Sequence, residues 1–357
     1  MNYMPTNGSW GYSPPDYRSE LMKARDSEKR ALNKNVYMLA GLLLLYNIFN
    51  RILVYVYYYL AYIRYTGSFT PSFRTAVSYL QENGLTKGTG FTMTANLFIV
   101  SVSALGLVTV AQPIMKIKLS DMLKPYRGTL KDGVLWTPLG ITFNILIGLV
   151  AGMITTALNN SGIAVPKADF SISSPSKYAI IIQLVYVCLI GPFIEELVYR
   201  GLVIKLLSPY GKLLSAFMSA LIFGLMHGNI SQALSAFGGG LIYALITVRY
   251  NSIAPTIIMH IINNTIASIP DITDALGFGK GGDISLTIQI IVLFAGFYGI
   301  FVMLSQLLSQ INSDEPRCVL HLKERIVVIF TNILLLLYFA YIIAGYITSF
   351  IKANVGG

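Results

Sequence analysis

The chain has 357 residues, of which 54% are hydrophobic and only 12% charged, with a mean hydropathy of +0.63. A soluble globular domain carries roughly a quarter charged residues, so this composition excludes an ordinary soluble enzyme and predicts an all-α, polytopic transmembrane helix bundle. The formal net charge of +10 does not indicate a nucleic-acid partner, because the Lys and Arg residues sit between apolar runs, where they set membrane topology.

In chain order, residues 1–35 form a polar segment. Its first half is rich in Pro, Gly, Ser and Tyr, and it reads as a disordered, basic cytoplasmic leader. A surface helix over 19–34, with Leu21, Ala24, Ala31 and Leu32 on one side, is the alternative. The first apolar run begins behind this segment and is too long for the core of a cleavable signal peptide. Nine spans are predicted, near 36–63, 92–115, 134–158, 178–204, 213–229, 231–248, 251–269, 284–311 and 326–351, with eight possible. The fifth and sixth are short and nearly touch, so they form an uneven hairpin or one dips partway. The two cysteines, Cys188 in a span and Cys318 in a loop, offer neither a disulfide framework nor metal-site spacing. With the N-terminus in the cytoplasm, 17 of the 26 Lys and Arg fall on the cytoplasmic side, 7 fall opposite and 2, Arg51 and Arg200, lie within spans. That bias predicts N-in, C-out. No internal repeat is found, and 36–357 reads as a single membrane domain.

The polar groups inside the spans are few. Of the acidic residues only Glu195 and Glu196 fall inside them, and of the three histidines His227 and His260 do. Ionisable groups at such depth are costly and mark function or pairing. Glu196 and Arg200 are four residues apart and share a helix face, so Arg200 can hold Glu196 ionised. Glu195 is rotated about 100° away and lacks that partner. Phe223 and His227 share a face on the next helix, and His260 and Asn264 on the seventh span; Asn263 lies one residue off that face. By helix rise, Glu195 is ~15 Å in from Lys205 and His260 is ~17 Å in from Arg249, so the groups can meet at mid-depth. An imidazole and an amide could stabilise an oxyanion, or bind a water or a metal. The bland readings are a structural Glu196–Arg200 pair, packing histidines and inter-helix polar ties. The run Gly238–Gly240 reads as a close-packing device, since no Lys or Ser/Thr phosphate signature follows it.

The ordered motifs Glu195-Glu196-x-x-x-Arg200, Phe223-x-x-x-His227 and His260-x-x-x-Asn264, with the linking stretch 238–260, resemble the CPBP family of intramembrane proteases. These are the CAAX protease and bacteriocin-processing, or Abi, enzymes, related to type II CAAX prenyl endopeptidases. The resemblance covers about 178–270. It implies Glu195 as the base that activates water, assisted by His227, with His260 and Asn264 stabilising the oxyanion. It also implies that Glu196, Arg200 and Phe223 order the site. The family carries the label metalloprotease, although its best-understood members look like metal-independent glutamate proteases. The favoured reading here is no cofactor; the alternative is Zn2+ held by Glu195, His227 and His260.

The function expected is therefore an intramembrane endopeptidase in a bacterial cell membrane. Its partners would be the bilayer and a membrane-associated protein or peptide, in bacteriocin processing, self-immunity or surface-protein regulation. A non-catalytic scaffold or immunity protein acting by binding is the alternative. A proton-coupled transporter, with Glu195 as relay, is disfavoured by the lack of an inverted repeat.

Overall fold

The computed structural model describes residues 17–69, 72–167, 171–173 and 176–355, and all regular structure among them is helical. Helix α1, Tyr17–Thr66, has 50 residues and is about 75 Å long, far more than the ~30 Å hydrocarbon core requires. Its buried residues Leu32, Val36, Leu39, Leu43 and Tyr46 recur at alternating spacings of four and three, which lines one face of a helix. From Tyr17 onward the polar leader is thus helix continuous with the first span, not a disordered segment; its first 16 residues lie outside the described part. The cause is docking, which the local composition does not reveal. The carboxylate of Glu28 accepts from the backbone N–H of Val319 at 2.6 Å, Arg25 pairs with Glu324, and Asn35 donates to the Leu206 carbonyl at 2.9 Å. The His321 backbone N–H, aided by Arg25, holds the Glu324 carboxyl below the usual carboxylate range.

A short amphipathic helix α2, Phe73–Glu82, follows, then α3, Thr89–Met115, the single turn α4, Leu119–Leu123, and α5, Thr129–Asn160. The central helix α6, Lys177–Tyr210, ends at Gly211, whose φ of +133° no L side chain adopts comfortably. Helix α7, Lys212–Leu225, has only 14 residues. It turns back through residues 226–229 into α8, Ile230–Tyr250, which Asn229 caps by accepting from the Gln232 N–H at 2.9 Å. The expected uneven hairpin is therefore present. Helices α9, Ala254–Ala275, and α10, Gly281–Ser313, complete the wall around the site.

The last expected span is divided. Helix α11, Leu322–Phe330, stops before Thr331–Asn332, and α12, Ile333–Val355, starts anew. Asn332 explains the break. Its carbonyl oxygen caps the Leu335 N–H at 3.1 Å, and its amide reaches Asn33 of α1 at 2.8 Å. Among the described residues seven helices are long and apolar enough to cross a membrane, and α7 is apolar but shorter. Phe294 and Phe301 on α10 and Leu149 and Met153 on α5 are more than half exposed, a surface suited to lipid and not to water. This is an integral, multi-pass membrane protein.

Two apolar clusters flank α6. One joins α1, α6, α7 and α12 through Leu43, Val198, Leu202, Ile222 and Tyr338. The other joins α5, α8, α9 and α10 through Leu139, Ile246, Met259 and Leu307. The glycines of α8 bring it against its neighbours. A Cβ on Gly238 would lie 2.6 Å from the Phe143 carbonyl oxygen, and one on Gly239 would lie 3.1 Å from the Asn144 side chain. The triple glycine thus packs α8 onto α5, in the manner of small residues between membrane helices.

Candidate active site

Helix α6 is not a regular α-helix where it carries the glutamates. It widens into π turns over Leu184–Ile190 and again over Glu196–Leu202, either side of Gly191–Glu195. Pro192 accounts for the first. A proline inside a helix has no N–H and crowds the preceding turn, and widening that turn relieves the crowding. The Gly191 N–H bonds five residues back, to the Tyr186 carbonyl. A Cβ on Gly191 would meet that oxygen at 2.9 Å, so glycine is required there. Val187 is left without its helical donors: Gly191 is used by Tyr186 and Pro192 has no N–H. The Asn264 side-chain amide takes the place of both, donating to the Val187 carbonyl at 2.9 Å.

The second π segment faces its polar groups inward. Glu196 and Arg200 are both buried, and Arg200 Nη1 lies 3.2 Å from Glu196 Oε1. Arg200 also donates from Nη2 to the Gly240 carbonyl at 3.2 Å, and its guanidinium stacks over Phe223 at 4.0 Å from the ring centroid. A Cβ on Gly240 would meet both Arg200 Nη2 and Phe223 Cδ1 at 2.8 Å. So this third glycine makes room for the ion pair, whereas Gly238 and Gly239 serve the helix contact.

His260 joins the two glutamates. Its Nδ1 lies 2.9 Å from Glu196 Oε1 and its Nε2 lies 3.6 Å from Glu195 Oε2. With Glu196 as acceptor, Nδ1 carries the hydrogen of that bond, and Nε2 is the atom offered to Glu195. The two carboxylates differ in access. Glu196 is fully buried, whereas the Glu195 side chain is 23% exposed. Glu195, His227, His260, Asn263 and Asn264 line one cavity of about 400 Å³. His227 sits in the turn between α7 and α8, donating from Nδ1 to the Phe223 carbonyl at 3.0 Å and leaving Nε2 for other partners. Phe223 meets both imidazoles edge-on, at 5.0 Å from His227 and 5.7 Å from His260.

All of the residues expected at the site are thus brought together. Glu195, His227, His260 and Asn264 line the cavity, Glu196 and Arg200 lie behind it, and Phe223 lies between. Asn263 turns its amide to the Asn264 carbonyl oxygen at 3.1 Å. For a zinc site the donors fit poorly: among the described residues no three His, Cys, Asp or Glu side chains converge in a way that could hold an ion.

Sequence reasoning missed three parts of the site. Tyr243 lies 5.5 Å from the His260 ring and 5.6 Å from the Arg200 guanidinium; its spacing of three from Gly240 on one helix was the available signal. Asp271 lines the cavity as well, two residues beyond the expected end of the seventh span, because α9 runs on to Ala275. The bond between Val187 and Asn264 depends on a π turn, which has no sequence signature beyond Gly191-Pro192.

No curated protein and no solved structure matches the chain. Residues 177–266 match a protein family, described as type II CAAX prenyl endopeptidase Rce1-like. Every polar group from Glu195 to Asn264 falls inside that match, so the segment that holds the site is similar to a family of CAAX-protease-type membrane endopeptidases.

Proposed function

We propose that the chain is an intramembrane endopeptidase of glutamate type, with Glu195 as the general base. The observation that carries this reading is the His260 imidazole set between the partly exposed Glu195 and the fully buried Glu196. In the reaction, the Glu195 carboxylate takes a proton from a water molecule as the water oxygen adds to the scissile carbonyl carbon. His227, through the ring nitrogen left free by Phe223, helps orient that water. Asn264 has one amide hydrogen fixed on Val187 and a second to give to the oxyanion. His260 donates from Nε2 when protonated there. The proton held by Glu195 then passes to the leaving amine nitrogen as the C–N bond breaks. Glu196 and Arg200 hold His260 in place and touch no substrate.

The substrate is a membrane-associated protein or peptide, in a bacterial membrane by the family resemblance, with bacteriocin processing, self-immunity or surface-protein regulation as the settings. The cavity favours a neutral or cationic segment, because its lining includes Glu195 and Asp271 and no Lys or Arg. The poor fit of a three-ligand set supports a reaction without metal; loss of cleavage in a strong chelator with rescue by zinc would overturn that part.

The test compares new protein N-termini in membranes holding wild type, Glu195→Gln, His260→Ala or Asn264→Ala. Removal of a general base costs roughly 10²–10⁴-fold, and removal of one oxyanion donor roughly 10²–10³-fold. Full cleavage by both Glu195→Gln and His260→Ala would end the assignment. The absence of any wild-type cleavage, with folded protein in the membrane, would favour the scaffold or immunity role.

A further inference from the structure

A second cavity of about 370 Å³ lies further along α6, past Arg200. Its charged lining is of the opposite kind, with Arg200, Lys205, Lys212 and Arg249 against Asp121 and Asp314. Several of these charges are already engaged. Arg200 pairs with Glu196, and Lys212 lies 3.6 Å from Asp314. Asp121 accepts from the Lys118 backbone N–H at 3.0 Å in a helix cap. Lys205 and Arg249 have no ion-pair partner among the described residues, so the cavity keeps a cationic excess.

Two of the residues that line it also carry a buried donor without an acceptor among the described residues. Arg200 is only 1% exposed, and its Nε, like the buried Nε of Arg249, has no acceptor among the described residues. A guanidinium offers five N–H donors and accepts nothing, and a buried donor left unpaired is disfavoured. An unopposed guanidinium, Arg249, and an unopposed ammonium, Lys205, lining one cavity call for a ligand that is all acceptor and carries negative charge. A phosphate group fits this: tetrahedral, multiply charged and matched to guanidinium donors. Position agrees with chemistry. Lys205, Lys212 and Arg249 lie at or near the ends of α6, α7 and α8, on the side with most of the Lys and Arg, where basic pockets between membrane helices meet lipid headgroups.

We propose that this cavity binds a phosphate group, from an anionic lipid headgroup or a free phosphate ester, through Arg249 and Lys205. Because Arg200 lines the same cavity and holds Glu196, the ligand sits beside the residue that braces the candidate active site from behind.

The test is binding to the full-length protein, so its result does not depend on the proposed reaction. Thermal melting in neutral detergent is followed as inorganic phosphate is added against chloride of matched ionic strength. A second series uses nanodiscs of phosphatidylcholine with and without phosphatidylglycerol. The expected result is a saturable rise in Tm, with the apparent affinity about tenfold or more weaker in Arg249→Gln and in Lys205→Gln. Equal melting of each variant and the wild type in chloride shows that the variant folds. A response to inorganic phosphate identifies a free phosphate ester as the ligand, and a response to phosphatidylglycerol alone identifies the lipid headgroup. No saturable response to either, or the same response in both variants, overturns the proposal.

Discussion

The two cavities share a helix and oppose each other in charge. The first, around Glu195, has acidic side chains and histidines and no Lys or Arg; the second, past Arg200, has four cations and two carboxylates. Between them along α6 lies the buried Glu196–Arg200 pair. Neither partner could remain buried alone, since an isolated ion in a low-dielectric interior is strongly disfavoured. Together they let one helix carry a carboxylate chamber and a cationic chamber within a few turns. The difference suggests why tandem glutamates occur at all: one is committed to the divider, which frees the other to meet water.

The sharpest way to break the comparison is to remove the divider. In Arg200→Ala, Glu196 remains fully buried with its cation gone, and breaking a buried pair costs about 3–5 kcal/mol. The expected outcome is a large drop in melting temperature and loss of cleavage together. Cleavage lost without a change in melting would mean that Arg200 acts on the reaction and not as a brace. The converse, melting lowered with cleavage kept, would mean that His260 needs no buried partner.

Much of this was legible in the sequence, for a simple physical reason. In apolar helices a charged residue or a histidine is conspicuous, and Glu195, Glu196, Arg200, His227 and His260 are all the Asp, Glu, Lys, Arg and His residues that their predicted spans contain. Spacing of four then assigned faces correctly for Glu196 with Arg200 and for Phe223 with His227. What could not be read depends on distant packing. Tyr243 looks like any buried aromatic until α8 is laid against α6 and α9. The leader helix looks solvated until Glu28 meets Val319 and Leu320. The break at Asn332 appears only when Asn33 is beside it. Asp271 lies beyond the expected end of the seventh span because hydropathy falls where α9 still continues.

A smaller change sharpens the division at Gly240. Alanine there would place a Cβ 2.8 Å from both Arg200 and Phe223, and overpacking of this kind costs about 1–3 kcal/mol. Gly239→Ala, whose Cβ meets Asn144 at 3.1 Å, is a milder control on the same helix. If Gly240 serves the ion pair, its variant lowers cleavage more than the Gly239 variant does for the same loss of thermal stability. Proportional losses in both would return Gly240 to a purely packing role.

The smallest expected effect is the most specific. Pro192 lacks the N–H that would satisfy the Val187 carbonyl, and Asn264 occupies that oxygen instead. Pro192→Ala supplies a competing donor while adding no bulk. If the Asn264 amide is then no longer held, the loss should approach one net hydrogen bond, about 1 kcal/mol, or roughly a fivefold fall in kcat with KM little changed. A double-mutant cycle separates this from general disturbance of α6. In an Asn264→Ala background the amide is already gone, so Pro192→Ala should lower the residual rate no further. An equal fivefold fall in both backgrounds would show that the proline acts on Glu195 through the helix and not on Asn264. Independence from Asn264 would leave the π turn as a relief of proline strain alone, whereas coupling would make the missing N–H part of how the oxyanion donor is aimed.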